Sequence, residues 1–140
     1  MSKIVVTGGS VFIGTNLVEH LSAAGHSVLI VDIRAPRRVS GDVRFISIDI
    51  LNRKAVCRSI CDFDPEYIFH LSARTDLAGK SEGDYAANIE GVSNVVSAAK
   101  SVSSLKRILF ASSMYVCKMG YIPERDDVYC PHTAYGSSKV

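Results

Sequence analysis

Short apolar runs alternate along the chain with longer amphipathic stretches. The runs have the length of strands and fall at residues 3–7, 27–32, 43–48, 67–71 and 107–111. The stretches between them carry apolar residues at helical spacing, and three helices are predicted there. They cover residues 12–24, a segment that begins at the N-cap Asn52 and ends near Cys61, and residues 84–101. A last helix is predicted to begin near Thr133. This alternation predicts βαβ units and therefore a parallel sheet.

The second run indicates how the sheet is covered. Residues 28–31 are continuously apolar, as in a parallel strand that is buried on both faces. Right-handed crossovers then predict an α/β fold, a doubly wound parallel sheet of about five strands in the order 3-2-1-4-5. The 140 residues correspond to one domain, residues 1–140, and 47% of them are hydrophobic, enough to build a core.

Composition excludes several classes of partner. The formal net charge of +2 gives no argument for binding nucleic acid or an anionic membrane. No apolar stretch reaches membrane-spanning length, and the first residues lead straight into a strand, so we expect a cytoplasmic protein without a signal peptide. The four cysteines show no metal-ligand spacing, so no metal site is predicted and the cysteines are interpreted as half-buried thiols in a reducing compartment.

A glycine-bearing turn joins the first strand to the first helix. Gly9 and Gly14 match two positions of the pattern G-x-G-x-x-G, but its central position is Val11. Between a strand and a helix this pattern predicts a dinucleotide site of Rossmann type, because free backbone N–H groups and the helix dipole attract a pyrophosphate. A valine at the position of closest approach is expected to collide with that ligand at a cost of about 1–3 kcal/mol, or roughly 5- to 150-fold in affinity.

Two carboxylates follow later strands. Asp32 ends the second strand about 20 residues after the turn, where a carboxylate accepts hydrogen bonds from ribose hydroxyls and repels a 2′-phosphate. It therefore favours NAD over NADP, although the nearby Arg34 weakens that preference. Asp49 and Ile50 end the third strand and are candidates to hold the adenine. An isolated Asp after a strand is also commonly a turn or cap residue, and that alternative stays open.

These motifs together resemble the extended short-chain dehydrogenase/reductases, in particular the NAD-dependent nucleotide-sugar epimerase/dehydratase group. The resemblance runs over the whole chain and is carried by five segments: the turn Thr7–Gly14, Asp32, residues 70–73, the serine segment 110–118, and a Tyr-x-x-x-Lys pair. By this resemblance Ser113, Tyr135 and Lys139 are catalytic. Tyr135 would take a sugar hydroxyl proton as hydride leaves to the nicotinamide, Lys139 would support the tyrosine, and Ser113 would bind the reacting oxygen.

The resemblance also supplies the expected cofactor contacts. They are Gly8, Gly9, Phe12, Ile13, Gly14, Asp32, Ile33, Arg34, Asp49, Ile50, Leu71, Ser72, Ala73, Asn88, Tyr135 and Lys139. Asn88 would brace the strand and loop beside the site. Met114 and Tyr115 stand where related dehydratases carry an Asp-Glu pair, so the sequence favours an epimerase or a simple dehydrogenase/reductase over a dehydratase.

The resemblance further implies that the chain is the N-terminal part of a protein about twice as long, with the substrate-binding domain absent. The helix bearing Tyr135 and Lys139 would have only about two turns, so we expect it to fray. Full-length members take a nucleotide-sugar and form homo-oligomers through this helix and the preceding long one. Three interpretations stay open: part of an NAD-dependent epimerase, a dinucleotide-binding module without turnover, and an inactive remnant.

Overall fold

Five parallel strands form a single sheet in the order β3-β2-β1-β4-β5 in the computed structural model, which describes all 140 residues. The strands are β1 (Lys3–Thr7), β2 (Ser27–Asp32), β3 (Val43–Ser47), β4 (Tyr67–His70) and β5 (Arg107–Phe110). The helices are α1 (Phe12–Ala23), α2 (Arg53–Phe63), α3 (Ala86–Ala99) and α4 (Ala134–Ser137). The predicted class, strand number and strand order are therefore confirmed.

Burial on the two faces of the sheet explains the apolar pattern. All six residues of β2 are buried, because helices cover both of its faces. On one face α1 inserts Val18 against Ile4, Val6, Val28 and Ile30. On the other face α2 and α3 pack around Val5, Leu29 and Val31. The carboxyl ends of the strands are left free, and the turns and loops that follow them form the site described below.

Several predicted boundaries were wrong by one or two residues. The strand predictions for β3, β4 and β5 each ran one residue too far. The helix predicted from residue 84 is divided, because a 3₁₀ turn at Glu82–Tyr85 precedes α3 and is capped by Ser81 and Asp84. α1 ends one residue before the predicted position. α2 starts from the predicted N-cap, where Asn52 accepts a hydrogen bond from the Ala55 amide at 3.2 Å, but it extends to Phe63.

One buried amide ties α3 to the loop after β3. Asn94 donates from Nδ2 to the carbonyl oxygens of Ile50 and Leu51, at 3.0 and 3.4 Å. Substituting Asn94→Ala leaves the buried Ile50 carbonyl without this donor, so we expect a loss of about 1–3 kcal/mol in the free energy of unfolding, measured by urea denaturation. Asn16→Ala on the exposed face of α1 is the matched control and should change stability by less than about 0.5 kcal/mol. Equal losses in the two variants would contradict this account.

Candidate functional site

The turn between β1 and α1 is built from close backbone contacts. Gly8 has a positive φ of 68°, and a Cβ on it would lie 2.7 Å from the Ser72 amide nitrogen. A Cβ on Gly14 would overlap the carbonyl oxygen of Gly8. Because both neighbours are backbone atoms, neither can move aside cheaply. The turn therefore needs glycine at these two positions, and it holds the start of α1 against the segment that follows β4.

Val11 occupies this turn without strain. Its φ of −107° and ψ of −179° are extended backbone, which any residue adopts. It precedes the first residue of α1 and supplies no side-chain cap. The side chain is 43% exposed and lines the cleft beside the turn, so the valine is not a core residue. The valine leaves the backbone conformation of the turn intact and places its side chain in the cleft.

Asp32 is fixed at the edge of the same cleft. Its carboxylate is buried and accepts hydrogen bonds from two backbone amides, from Ser10 to Oδ2 and from Arg34 to Oδ1, each at 3.1 Å. The hydroxyl of Ser10 is buried and has no hydrogen-bond partner. The acid predicted from the sequence is thus tied to the glycine turn, and an unsatisfied hydroxyl lies next to it.

The cleft gathers most of the predicted cofactor residues. It has a volume of about 550 Å³ at the carboxyl ends of the strands. The predicted residues that line it are Gly8, Asp32, Ile33, Arg34, Asp49, Ile50, Leu71, Ser72 and Ala73. Residues that the sequence did not predict also line it, namely Ile48, Arg74, Thr75, Asp76 and Ala87. The segments that follow β1, β2, β3 and β4 therefore contribute to one concave surface.

The remaining predicted residues near the turn have other surroundings. Gly9 packs against Ile30, since a Cβ on it would lie 2.9 Å from the Ile30 Cγ2. Phe12 and Ile13 begin α1 with side chains that are 85% and 64% exposed, and neither lines the cleft. The structure thus gives Gly9 a packing role and places Phe12 and Ile13 at the surface.

The two candidates for holding adenine have structural roles as well. One oxygen of the exposed Asp49 carboxylate accepts a hydrogen bond from the Leu51 amide at 2.9 Å, which is the turn role that the sequence left open. Ile50 is buried in the core beneath the cleft and packs closely on Gly91 of α3. Both residues still line the cleft.

A buried histidine joins β1 to β4. The Nδ1 of His70 lies 2.7 Å from the Thr7 hydroxyl, and the same hydroxyl accepts a hydrogen bond from the Ser72 amide at 3.3 Å. The Nε2 of His70 is buried without a partner. Burial, with a smaller contribution from the positive charge of Lys139, lowers the pKa of His70 from 6.5 to about 4. The imidazole is therefore neutral at physiological pH.

Asn88 is a brace between two loops. Its Oδ1 accepts from the Arg74 amide at 2.8 Å, and its Nδ2 donates to the Arg74 carbonyl at 3.1 Å. Nδ2 also donates to the Ser138 hydroxyl at 2.8 Å. This buried side chain therefore connects the segment after β4 with the end of α4. It does not line the cleft itself.

The three expected catalytic residues do not line the cleft that holds most of the predicted cofactor residues. Ser113 accepts a hydrogen bond from the Tyr115 amide at 3.2 Å and so caps a short 3₁₀ turn. Tyr135 is buried, with its ring 5.8 Å from that of Tyr85 and 5.9 Å from that of Tyr115. Lys139 lines a second cleft of about 480 Å³ beside His70 and Phe110, where burial lowers the pKa of its ammonium group.

The sequence pattern missed residues whose roles depend on distant partners. Thr7 reaches His70 across 63 positions of sequence, and Ser138 reaches Asn88 across 50. No local period marks such pairs. The only sequence feature that pointed to His70 was the match of residues 70–73 to the family pattern, and that match did not predict that His70 is buried. Whether α4 frays, as its short length suggests, stays a prediction.

The fold and the glycine turn define an α/β domain of the Rossmann type. A family model, the NAD dependent epimerase/dehydratase family, matches residues 4–140. The chain belongs to this family. No helix in the structure is long and apolar enough to cross a membrane.

Individual relatives cover several chemistries. The chain is 30% identical to a 3-beta-hydroxysteroid dehydrogenase of Mycolicibacterium neoaurum, covering 95% of this chain and 38% of that protein. It is 27% identical to a UDP-glucose 4-epimerase of Mycolicibacterium smegmatis, covering 99% and 48%. Among solved structures, the Bordetella bronchiseptica enzyme WbmG in complex with NAD aligns with a TM-score of 0.83 at 28% identity, covering 99% and 46%. The chain thus spans about half the length, or less, of each of these three proteins.

The buried imidazole gives the domain a pH-dependent stability. The pKa of His70 is lower in the folded state than in the unfolded state, so the unfolded chain binds more protons between pH 6.5 and about 4. We therefore expect the contribution of His70 to the free energy of unfolding to be complete above pH 6.5 and to fall by about 3 kcal/mol as the pH drops to 4. We expect His70→Asn to flatten this part of the profile, measured as the free energy of unfolding in urea between pH 4 and 7.

The matched control for this profile is His20→Asn, at an exposed position of α1. It should leave the pH dependence as it is in the unaltered chain. A profile that is equally steep in the His70→Asn variant would show that other groups cause the loss of stability in acid.

Proposed function

We propose that this chain supplies the NAD-binding half of an NAD-dependent nucleotide-sugar epimerase. The observation that carries the proposal is the cleft at the carboxyl ends of the strands, where a glycine turn and the buried Asp32 face each other. Membership of the NAD dependent epimerase/dehydratase family supports it. So do the structures of WbmG with NAD and UDP, and of a Thermus thermophilus UDP-glucose 4-epimerase with NAD, at 29% and 27% identity.

The residues of the cleft fit the adenosine side of NAD. Asp32 presents a carboxylate held by backbone amides, and Ile33 and Arg34 follow it at the exposed rim. The turn has the glycine cradle that a phosphate needs, since Gly8 and Gly14 have no room for a Cβ. Val11 is the one misfit, because its exposed side chain lies on the surface where a pyrophosphate would approach. The cleft therefore fits the cofactor with reduced affinity.

The chemistry would be divided between cofactor and protein. NAD, when bound, supplies the ring that accepts and returns hydride. Tyr135 would hold the proton of the sugar hydroxyl at its phenolic oxygen, and Ser113 would bind the reacting oxygen. Lys139, whose ammonium pKa is lowered by burial, lies two residues beyond the end of α4 and would bind the ribose. In the structure Lys139 lines the second cleft, beside His70 and Asn88.

The side chains after Ser113 favour an epimerase over a dehydratase. Met114 is 85% exposed, and the Tyr115 ring packs on the rings of His132 and Tyr135. Neither residue is a carboxylic acid that could protonate a leaving hydroxyl. A nucleotide-sugar dehydrogenase or reductase remains the second candidate, which the 3-beta-hydroxysteroid dehydrogenase relative supports by its name. Release of a keto product would distinguish it from an epimerase.

A binding module without turnover is the third candidate. The observation in its favour is that Ser113, Tyr135 and Lys139 all lie outside the cleft that gathers the predicted cofactor residues. Such a module would bind NAD, or its adenosine half, without catalysis. An inactive remnant would bind neither ligand.

Calorimetric titration of NAD into this chain and into its Val11→Gly variant tests the cofactor site. Because Val11 lies in the cleft and its backbone is unstrained, the glycine should remove a collision and leave the fold intact. We expect binding about 5- to 150-fold tighter in the variant, which corresponds to about 1–3 kcal/mol of relieved overpacking. Val11→Ala should lie between the two.

Asp32→Asn, made in the Val11→Gly background, is the companion variant. It should weaken NAD binding while reducing discrimination against NADP, since the carboxylate that repels a 2′-phosphate is lost. If Val11→Gly remains folded and binds no NAD, the proposed cofactor site is wrong. Equal affinity of the valine and glycine forms would instead show that position 11 does not face the pyrophosphate.

A further inference from the structure

Two of the four cysteines are direct neighbours across an isolated parallel bridge. Cys117 and Cys130 are the paired residues. The Lys118 amide donates to the Cys130 carbonyl at 2.8 Å, and the Cys130 amide donates to the Val116 carbonyl at 2.9 Å. These two hydrogen bonds fix the register, so the cysteines face each other although they are 13 positions apart in the sequence. Both thiols are free and half-buried.

The spacing of this bridge suits a disulfide. Neighbouring strands lie about 4.8 Å apart, and the Cα atoms of disulfide-bonded cysteines are usually about 4.4–6.8 Å apart. Paired residues of parallel strands also project to the same side. The Cys117 Sγ already points along the partner segment, 3.9 Å from the Val128 carbonyl oxygen. We propose that Cys117 and Cys130 form a reversible disulfide, which makes this bridge a thiol-oxidation site that is independent of the cofactor cleft.

The other two cysteines provide an internal comparison. Cys57 and Cys61 lie one turn apart on α2. Side chains at this spacing have Cβ atoms about 5–6 Å apart, which exceeds the roughly 3.5–4.5 Å of a disulfide. Both cysteines of α2 also pack against the core. Oxidation is therefore expected to select the bridge pair.

The oxidant we name is a low-molecular-weight disulfide such as oxidised glutathione. One of the two thiolates attacks a sulfur of the reagent, whose S–S bond breaks and releases one glutathione thiol. The second cysteine then attacks the mixed disulfide and displaces the other glutathione thiol. Two cysteine thiols are oxidised to one disulfide, one glutathione disulfide is reduced to two thiols, and the two protons leave with those thiols. Reduced glutathione reverses both steps.

The bridge joins the two segments that carry the aromatic cluster around Tyr135. Cys117 directly follows the 3₁₀ turn Met114–Val116, and Cys130 precedes α4. The aromatic rings of the two segments are in contact, since the Tyr115 ring lies 6.4 Å from the ring of His132 and 5.9 Å from that of Tyr135. A covalent link would hold these segments together where the bridge now has only two backbone hydrogen bonds. Oxidation should therefore slow amide hydrogen exchange at Ser137, the last residue of α4, and at Ser138, its C-cap.

Peptide mapping of the folded chain, equilibrated with mixtures of oxidised and reduced glutathione, tests the proposal. Trypsin cleaves after Arg107, Lys118, Arg125 and Lys139, so Cys117 and Cys130 fall in separate peptides, residues 108–118 and 126–139. We expect these two peptides to be recovered linked, with the loss of two hydrogen atoms, and to separate on reduction. The same treatment in denaturant should scramble the pairings.

Cysteine-to-serine variants identify which cysteines form the disulfide. Cys117→Ser and Cys130→Ser should each abolish the linked pair and leave a glutathione adduct on the remaining cysteine. The variant with both Cys57→Ser and Cys61→Ser should retain it. The proposal is overturned if the folded chain gives only glutathione adducts at both positions, or if the 108–118 and 126–139 peptides are linked no more often in the folded chain than in the denatured one.

Discussion

A close approach of three backbone segments fixes the geometry of this domain. Gly8 leaves β1 with a positive φ and touches the Ser72 amide, and Gly14 touches the Gly8 carbonyl. No side chain fits between these segments, so the start of α1, the end of β1 and the chain after β4 have one arrangement. Thr7 adds a hydroxyl that contacts both His70 and Ser72. The cleft opens where it does because these contacts hold its walls apart at the ends of the strands.

The sequence predicted the parts of the fold that depend on local pattern. Four consecutive apolar residues predict that a strand such as β2 is buried on both faces. The order of the strands in the sheet follows from right-handed crossovers. The sequence pattern could not predict features in which a capping motif competes with the helical period of the same residues. The capping of Glu82–Tyr85 by Ser81 and Asp84 interrupts a stretch whose period alone reads as one helix. Contacts such as Thr7 with His70 depend on the finished sheet, so no window of sequence contains them.

The region of the expected catalytic residues is held by side chains more than by helix length. α4 has only four residues, too few for stability by itself. Asn88 anchors its end through the Ser138 hydroxyl, Thr133 caps its start by accepting from the Gly136 amide at 2.9 Å, and Tyr135 is buried between two other tyrosine rings. The positions of Tyr135 and Lys139 thus depend on tertiary contacts, and a change in those contacts would reposition both residues.

The glycine positions of the turn differ in whether the fold or a bound ligand requires a glycine there. Gly8 and Gly14 are required by the fold, since one has a positive φ and the other meets a backbone oxygen. Position 11 has neither requirement, because its backbone is extended and its side chain points into the cleft. A glycine there would serve only a ligand that approaches the backbone. We therefore expect a valine at this position to affect ligand binding and to leave the fold unchanged. Stability and cofactor affinity would then vary independently within one turn of seven residues, Gly8 to Gly14.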